Sequence, residues 1–328
     1  MEQPSRAGGR WPALAIPAFR YYWFSRFASV FAVQVTSVAV GWQVYDITRD
    51  PLDLGLVGLI QFLPSFLLVL VTGQAADRFG RRNIMAVTIA IEAACAAVLV
   101  WLAWRGLDSV IPIFAILLVF GIARAFYGPA SSSLVANLVP TEQLAGAVAL
   151  NTATWKIATI VGPVAGGLLY GIAATAAYGA TVVLLIIATG LVLLVPRPQK
   201  RTLPPAIDWT TVLAGFRYIG SNKVVLGAIS LDLFAVLLAG ATALLPVYAR
   251  DILELGPWGL GLLRAAPGIG GIGVAIYLAS HPIRDRAGHL LLIFVAAFGL
   301  ATAVFGLSNI VWLSILALMV VGATDMVS

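Results

Sequence analysis

A chain of 328 residues in which 61% of positions are apolar and only 10% are charged carries more apolar surface than a water-soluble core can absorb, so its solvent is lipid. The formal charge of +6 does not signal nucleic acid, because the basic residues form no patch with interleaved aromatics and no nucleic-acid module is present. The lone cysteine, Cys95, lies inside an apolar run, which excludes a disulfide framework and a thiolate metal site.

Residues 1–19 hold no short apolar block with a small-residue cleavage pattern, so the first apolar run is expected to be its own insertion signal. Runs near the roughly 20 residues needed to cross hydrocarbon fall at 22–44, 54–75, 83–104, 110–132, 144–171 and 174–195, and again at 224–248, 258–280, 290–307 and from 310 onward. The expected fold is an all-α membrane bundle of about ten helices. Its parts are a six-helix block over 1–196, a polar linker over 197–222 and a second, incomplete block over 223–328. Pro198, Pro204 and Pro205 open the linker as an extended segment, and 209–219 reads as an amphipathic helix on the membrane surface.

Loop charge sets the expected orientation. Arg78, Arg81, Arg82, Arg197, Lys200, Arg201, Arg284 and Arg286 fall on one side, whereas the other holds Arg49, Arg105 and Arg250 among Asp46, Asp50, Asp53, Asp108, Asp251 and Glu254. The positive-inside bias therefore places the N-terminus in the cytoplasm and the protein in the cytoplasmic (inner) membrane.

The two blocks echo one another. Val44-Tyr45, Gly58 and Pro64 recur as Val247-Tyr248, Gly261 and Pro267 at one offset of 203, and the loop around Asp77-Arg78-Phe79-Gly80 recurs as Asp285-Arg286-Ala287-Gly288. Duplicated bundles of this kind are the construction plan of many secondary transporters. By the same symmetry the second block is two spans short, so the chain is expected to be a fragment of a twelve-helix protein.

Specific motifs carry a family resemblance. The stretch Gly73-Gln74-Ala75-Ala76-Asp77-Arg78-Phe79-Gly80-Arg81-Arg82 resembles the signature of the major facilitator superfamily between helices two and three. Arg124-Ala125-Phe126-Tyr127-Gly128-Pro129-Ala130 resembles its helix-four signature, with Tyr127 where glutamine is usual. Gly162-Pro163-Val164-Ala165-Gly166-Gly167 resembles the helix-five signature of proton antiporters, with Ala158 in place of its first glycine. Together with Ala18-Phe19-Arg20 and Leu231-Asp232-Leu233-Phe234, the chain looks most like the multidrug, macrolide and enterobactin exporter branch.

The resemblance implies alternating access, export of an amphipathic small molecule and a proton gradient as energy source, with no cofactor, no metal, no nucleic acid and a monomeric state. It also implies that Gly73, Asp77, Arg78, Gly80, Arg81 and Arg82, with Asp285, Arg286 and Gly288, form gating loops. Gly162, Pro163, Gly166 and Gly167 are read as a close-packing face. Ionisable residues within the bilayer cost on the order of 2.5–3.5 kcal/mol each, so each needs a partner or a wet cavity. They are Arg26, Glu92, Arg124, Lys156, Asp232, Arg264 and Asp325. In the resembled fold, helices one, four, seven and ten line the pathway. This makes Asp232 and Asp325 the expected proton carriers, with Arg124 as their partner, Arg26 nearby, and Gln34 and Asn151 adding hydrogen bonds. Glu92 and Lys156 are expected to face away from it.

Other mechanisms lack parts: there is no phosphate loop for ATP-driven pumping, no His-Glu-x-x-His or Gly-x-Ser-x-Gly arrangement for hydrolysis, and no ring of like residues for a channel filter. The alternative from another class is a non-transporting membrane scaffold or inactive fragment.

Overall fold

A helix in lipid satisfies every backbone polar group within its own segment, and the computed structural model is built accordingly. It describes residues 12–107, 109–197, 217, 220–223, 225–227, 229–230, 240–280 and 287–327, and these are helical or in short connections. The helices are α1 (Pro17–Thr48), α2 (Pro51–Phe79), α3 (Arg81–Arg105), α4 (Ile111–Leu138), α5 (Leu144–Ile172), α6 (Ala174–Leu194), α7 (Pro257–Ser280), α8 (Ala287–Leu307) and α9 (Val311–Asp325). The last three correspond to the eighth, ninth and tenth expected spans. Eight of the nine are long and apolar enough to cross a membrane, and α9 is a shorter apolar helix.

Helix ends follow local chemistry. Asp50 accepts the backbone N–H of Leu52 at 2.9 Å, and Pro51 opens α2, where a missing N–H costs nothing. Gly80, at φ +85°, is the whole connection between α2 and α3. An L side chain rarely adopts that backbone conformation, whereas glycine does so freely. The expected boundary is corrected here. Asp77 and Arg78 continue α2 instead of forming a loop, because beyond the hydrocarbon a charged residue is an ordinary helix former.

By packing, the chain groups into two compact units: residues 1–36, 59–158 and 175–203 form one, and residues 37–58, 159–174 and 204–328 the other. The first unit has α4 packed along α3, and its core includes Phe19, Tyr22, Met85, Ile89, Tyr127, Leu134 and Leu185. In the second unit Val38 and Trp42 of α1 share a core with Leu245, Leu260, Leu263, Phe305 and Leu318. Its helices α7 and α9 touch backbone to backbone: Gly270 lies against the Met319 carbonyl and Gly322 against that of Pro267. Phe62, Phe66 and Leu67 of α2 are exposed, as lipid-facing side chains are.

Residues 224, 228 and 231–239 of the expected seventh span lie outside the described residues, and so does all of the amphipathic helix over 209–219 except residue 217. Where description resumes, a 3₁₀ turn (Gly240–Leu244) and a single helical turn (Leu245–Val247) lead into a π-helical turn, Tyr248–Ile252.

Candidate functional site

Polar side chains gather in two places, one in each unit. In the first unit, α3 carries Glu92, whose side chain is 0% exposed, and its Oε1 lies 3.7 Å from Nη1 of Arg124 on α4. That is an ion-pair distance and too long for a hydrogen bond. Neither carboxylate oxygen nor this guanidinium nitrogen has a hydrogen-bond partner among the described residues. The Arg124 guanidinium instead lies over the ring of Tyr127, 4.7 Å from its centroid, within range of a cation–π attraction. Tyr127, the departure from the helix-four signature, thus supplies a second resting place for the same cation.

One turn further along α4, Ser131 gathers α1. Arg26 Nη1 donates to Ser131 Oγ at 2.8 Å, and the Tyr22 hydroxyl donates to the Ser131 carbonyl at 3.0 Å. Asn151 is buried on α5 with its Oδ1 unbonded among the described residues, and Gln34 is half-buried on α1. The α2–α3 turn is anchored by its arginines. Arg81 donates to the Ser133 carbonyl at 3.0 Å, while Arg82 donates to Val192 at 3.3 Å and also to Leu193. Val192 and Leu193 lie in the last turn of α6, so Arg82 satisfies carbonyls that the helix's own ladder leaves free. Arg78 lies near the Phe79 ring, and Gly73 sits within α2 with open space around it.

In the second unit, the end of α1 meets the π-helical turn through opposite charges. Asp46 pairs with Arg250, Arg49 pairs with Asp251 at 3.3 Å, and the Tyr45 hydroxyl donates to Asp251. The guanidinium of Arg250 also lies 5.5 Å from the Trp42 ring. The wider turn presents Arg250 and Asp251, adjacent in sequence, to partners one turn apart on α1; π-turns inside helices frequently occur at functional sites. Deeper in this unit Arg264 of α7 donates to Ser37 Oγ at 2.5 Å.

Below that lattice two helices cross at contact distance. Gly167 of α5 faces the carbonyl of Pro257, and Gly261 of α7 faces the carbonyl of Pro163. The relation is reciprocal because both segments are written Gly-Pro-x-x-x-Gly, over Gly162–Gly167 and Gly256–Gly261. Both glycines have backbone where a Cβ would stand, so only glycine fits.

These placements bear unevenly on the expected site. Arg26 and Arg124 come with α1 and α4 into the first unit's polar cluster, and within that unit the acidic partner of Arg124 is Glu92. Asp325 closes α9 and is exposed. Asp232, Asp285 and Arg286 lie outside the described residues, as does the side chain of Asp77, and Gly288 sits exposed in the first turn of α8. Sequence reasoning passed over Tyr45, Asp46, Arg250 and Asp251 as ordinary loop polarity. The available signal was their grouping at the ends of the duplicated Val-Tyr pair.

Residues 8–328 match a major facilitator family profile described as transmembrane secretion effector. The chain belongs to that family. As a member it is a multi-pass membrane protein and a secondary transporter, not an enzyme. Over 324 residues it is 27% identical to the enterobactin exporter EntS of Shigella boydii serotype 18 and 26% identical to that of Citrobacter koseri. Each match spans 95% of this chain and 75% of the relative. Among solved structures it resembles a bacterial homologue of the human lysosomal transporter Spinster, in an inward-facing and unoccupied conformation. That likeness has a TM-score of 0.73 at 16% identity and covers 97% of this chain and 74% of the other, and it bears on the fold alone.

Proposed function

We propose that this secondary transporter exports amphipathic small molecules, drug-like or siderophore-like, in exchange for protons. It works by alternating access in the cytoplasmic membrane, with its N-terminus in the cytoplasm. No cofactor is needed in this reading, the chain acts as a monomer, and 1–196 and 223–328 serve as the moving blocks on either side of the 197–222 linker. On that orientation the α1–α2 turn faces outward.

The observation that carries the reading is the charge lattice of Tyr45, Asp46 and Arg49 with Arg250 and Asp251. It ties a first-block helix to a second-block turn through contacts that are individually weak and reversible. An outer gate has to be closable and breakable, and exposed pairs worth about 0–1 kcal/mol each meet that need better than an apolar seam. The segment from Gly73 to Arg82, around the Gly80 turn, and its copy over Asp285, Arg286 and Gly288 serve as the inner counterpart. Asp232 and Asp325 carry protons in this reading, with Arg124 and Arg26 as charge partners and Gln34 and Asn151 as pathway hydrogen-bonding groups. The likeness to exporters named for enterobactin favours outward movement of a bulky amphipathic cargo.

Purified protein in liposomes, with ethidium as an amphipathic probe, tests this directly. An imposed pH gradient is expected to drive ethidium accumulation that a protonophore abolishes and that Asp232→Asn and Asp325→Asn lose. Equal movement with and without the gradient would overturn proton coupling.

A further inference from the structure

The carboxylate of Glu92 has no part in the reading above, yet its surroundings are unusual for a static ion pair. Its side chain is 0% exposed, and neither oxygen accepts a hydrogen bond among the described residues. Burying a carboxylate this way costs several kcal/mol unless charge-assisted bonds compensate, and such bonds close at about 2.7–2.9 Å. Arg124 stops short of that at 3.7 Å and rests on Tyr127 instead.

The geometry points to Glu92 as a proton-binding site, with Arg124 as the cation that replaces the proton when the site is deprotonated. Two arrangements are available within about 1 Å of movement. In one, the charged carboxylate draws Arg124 into a closed pair. In the other, a proton from water forms an O–H bond on Glu92, the carboxyl becomes neutral, and Arg124 is retained by the Tyr127 ring. The O–H bond gained by Glu92 is one lost by hydronium, and deprotonation returns that proton to water, so each direction forms one O–H bond and breaks one. Access runs past the arginine, whose side chain is 30% exposed while that of Glu92 is not exposed at all.

No other described charge serves as partner to the site. Among the described residues α4 packs along α3 and contributes Arg124 and Tyr127, α3 itself contributes Cys95, one turn on, and α1 and α6 share the core of α3 through Tyr22, bonded to Ser131, and Leu185. Arg26 of α1 is engaged with Ser131. A mere strut between α3 and α4 would have no reason to leave both carboxylate oxygens and the facing nitrogen unbonded.

The inference rests on proton-coupled export for its purpose, but the site can be read without any transport. Infrared difference spectra of the purified protein in lipid, stepped from acid to alkaline pH, are expected to contain a carboxylic-acid carbonyl band that disappears as pH rises. Glu92→Gln should lose that band. Glu92→Asp, which keeps the carboxyl, should retain it at a shifted frequency and guards against a misfolded glutamine variant. In liposomes Glu92→Gln should keep ethidium exchange but lose accumulation driven by the pH gradient. A band unchanged in both variants would overturn the site, as would its absence from the wild type. Should the wild type show the band and no gradient-driven ethidium movement, the coupling reading fails and the proton site stands.

Discussion

The two charge clusters use the same side chains to opposite effect. Asp46–Arg250 and Arg49–Asp251 are partly exposed, so water screens them and each contributes at most about 1 kcal/mol. Glu92 and Arg124 meet in the interior of the first unit, where removing one member strands the other in a medium that solvates it poorly. Burial decides which cluster can open cheaply and which one registers a single charge.

Stability measurements should separate them. At alkaline pH, where the Glu92 carboxyl is charged, Arg124→Ala leaves it without its cation and is expected to destabilise the protein by about 3 kcal/mol, the lower end for breaking a buried pair because Arg124 is itself partly exposed, and the loss should shrink in acid. Adding Glu92→Gln should recover most of that loss in unfolding experiments. A loss unchanged by the second substitution would remove the energetic distinction.

A mid-sized effect is expected beneath the lattice. In Gly261→Ala or Gly167→Ala a methyl group meets a proline carbonyl across the α5–α7 crossing, an overpacking cost of roughly 1–3 kcal/mol. Gly171→Ala, on the same helix with open space around it, serves as the control and should be silent. Disulfide cross-linking between cysteines at positions 49 and 251 should fall in the first two variants only. Equal yields in all three would show that the crossing does not hold the lattice shut.

The smallest change is Asp251→Asn, which weakens the contacts to Arg49 and Tyr45 at a cost of about 0.5–1 kcal/mol. Outward opening, followed by labelling of a cysteine in place of Val38, which is buried in the second unit's core, should become easier, and high salt should mimic it in the wild type. Labelling indifferent to both would exclude the lattice as a gate.

The sequence made much of this legible for definite reasons. Span positions follow from apolar run length, and the stretch from Gly73 to Arg82 was placed between helices two and three by its charges and glycines between two apolar runs. The pairing of Glu92 with Arg124 was not legible because α3 is apolar along most of its length, and in lipid an apolar pattern does not tell a protein-facing side from a bilayer-facing one. The partners of Asp46 and Asp251 lie some 200 residues away, and only folding sets that register. The paired Gly-Pro-x-x-x-Gly segments escaped because they are 94 positions apart, unrelated to the offset of 203 that relates the two blocks.

Gly80 has a mechanical consequence. With 29 residues before it and 25 after it in helix, two rods of about 43 Å and 38 Å meet at one residue. A connection one residue long lets the two rods rotate about it but not separate, so the ends that meet there stay together whatever angle the rods take. By contrast, five residues separate Arg105 from Ile111, where α4 begins. Any change in the angle between α2 and α3 is therefore confined to the backbone of Gly80.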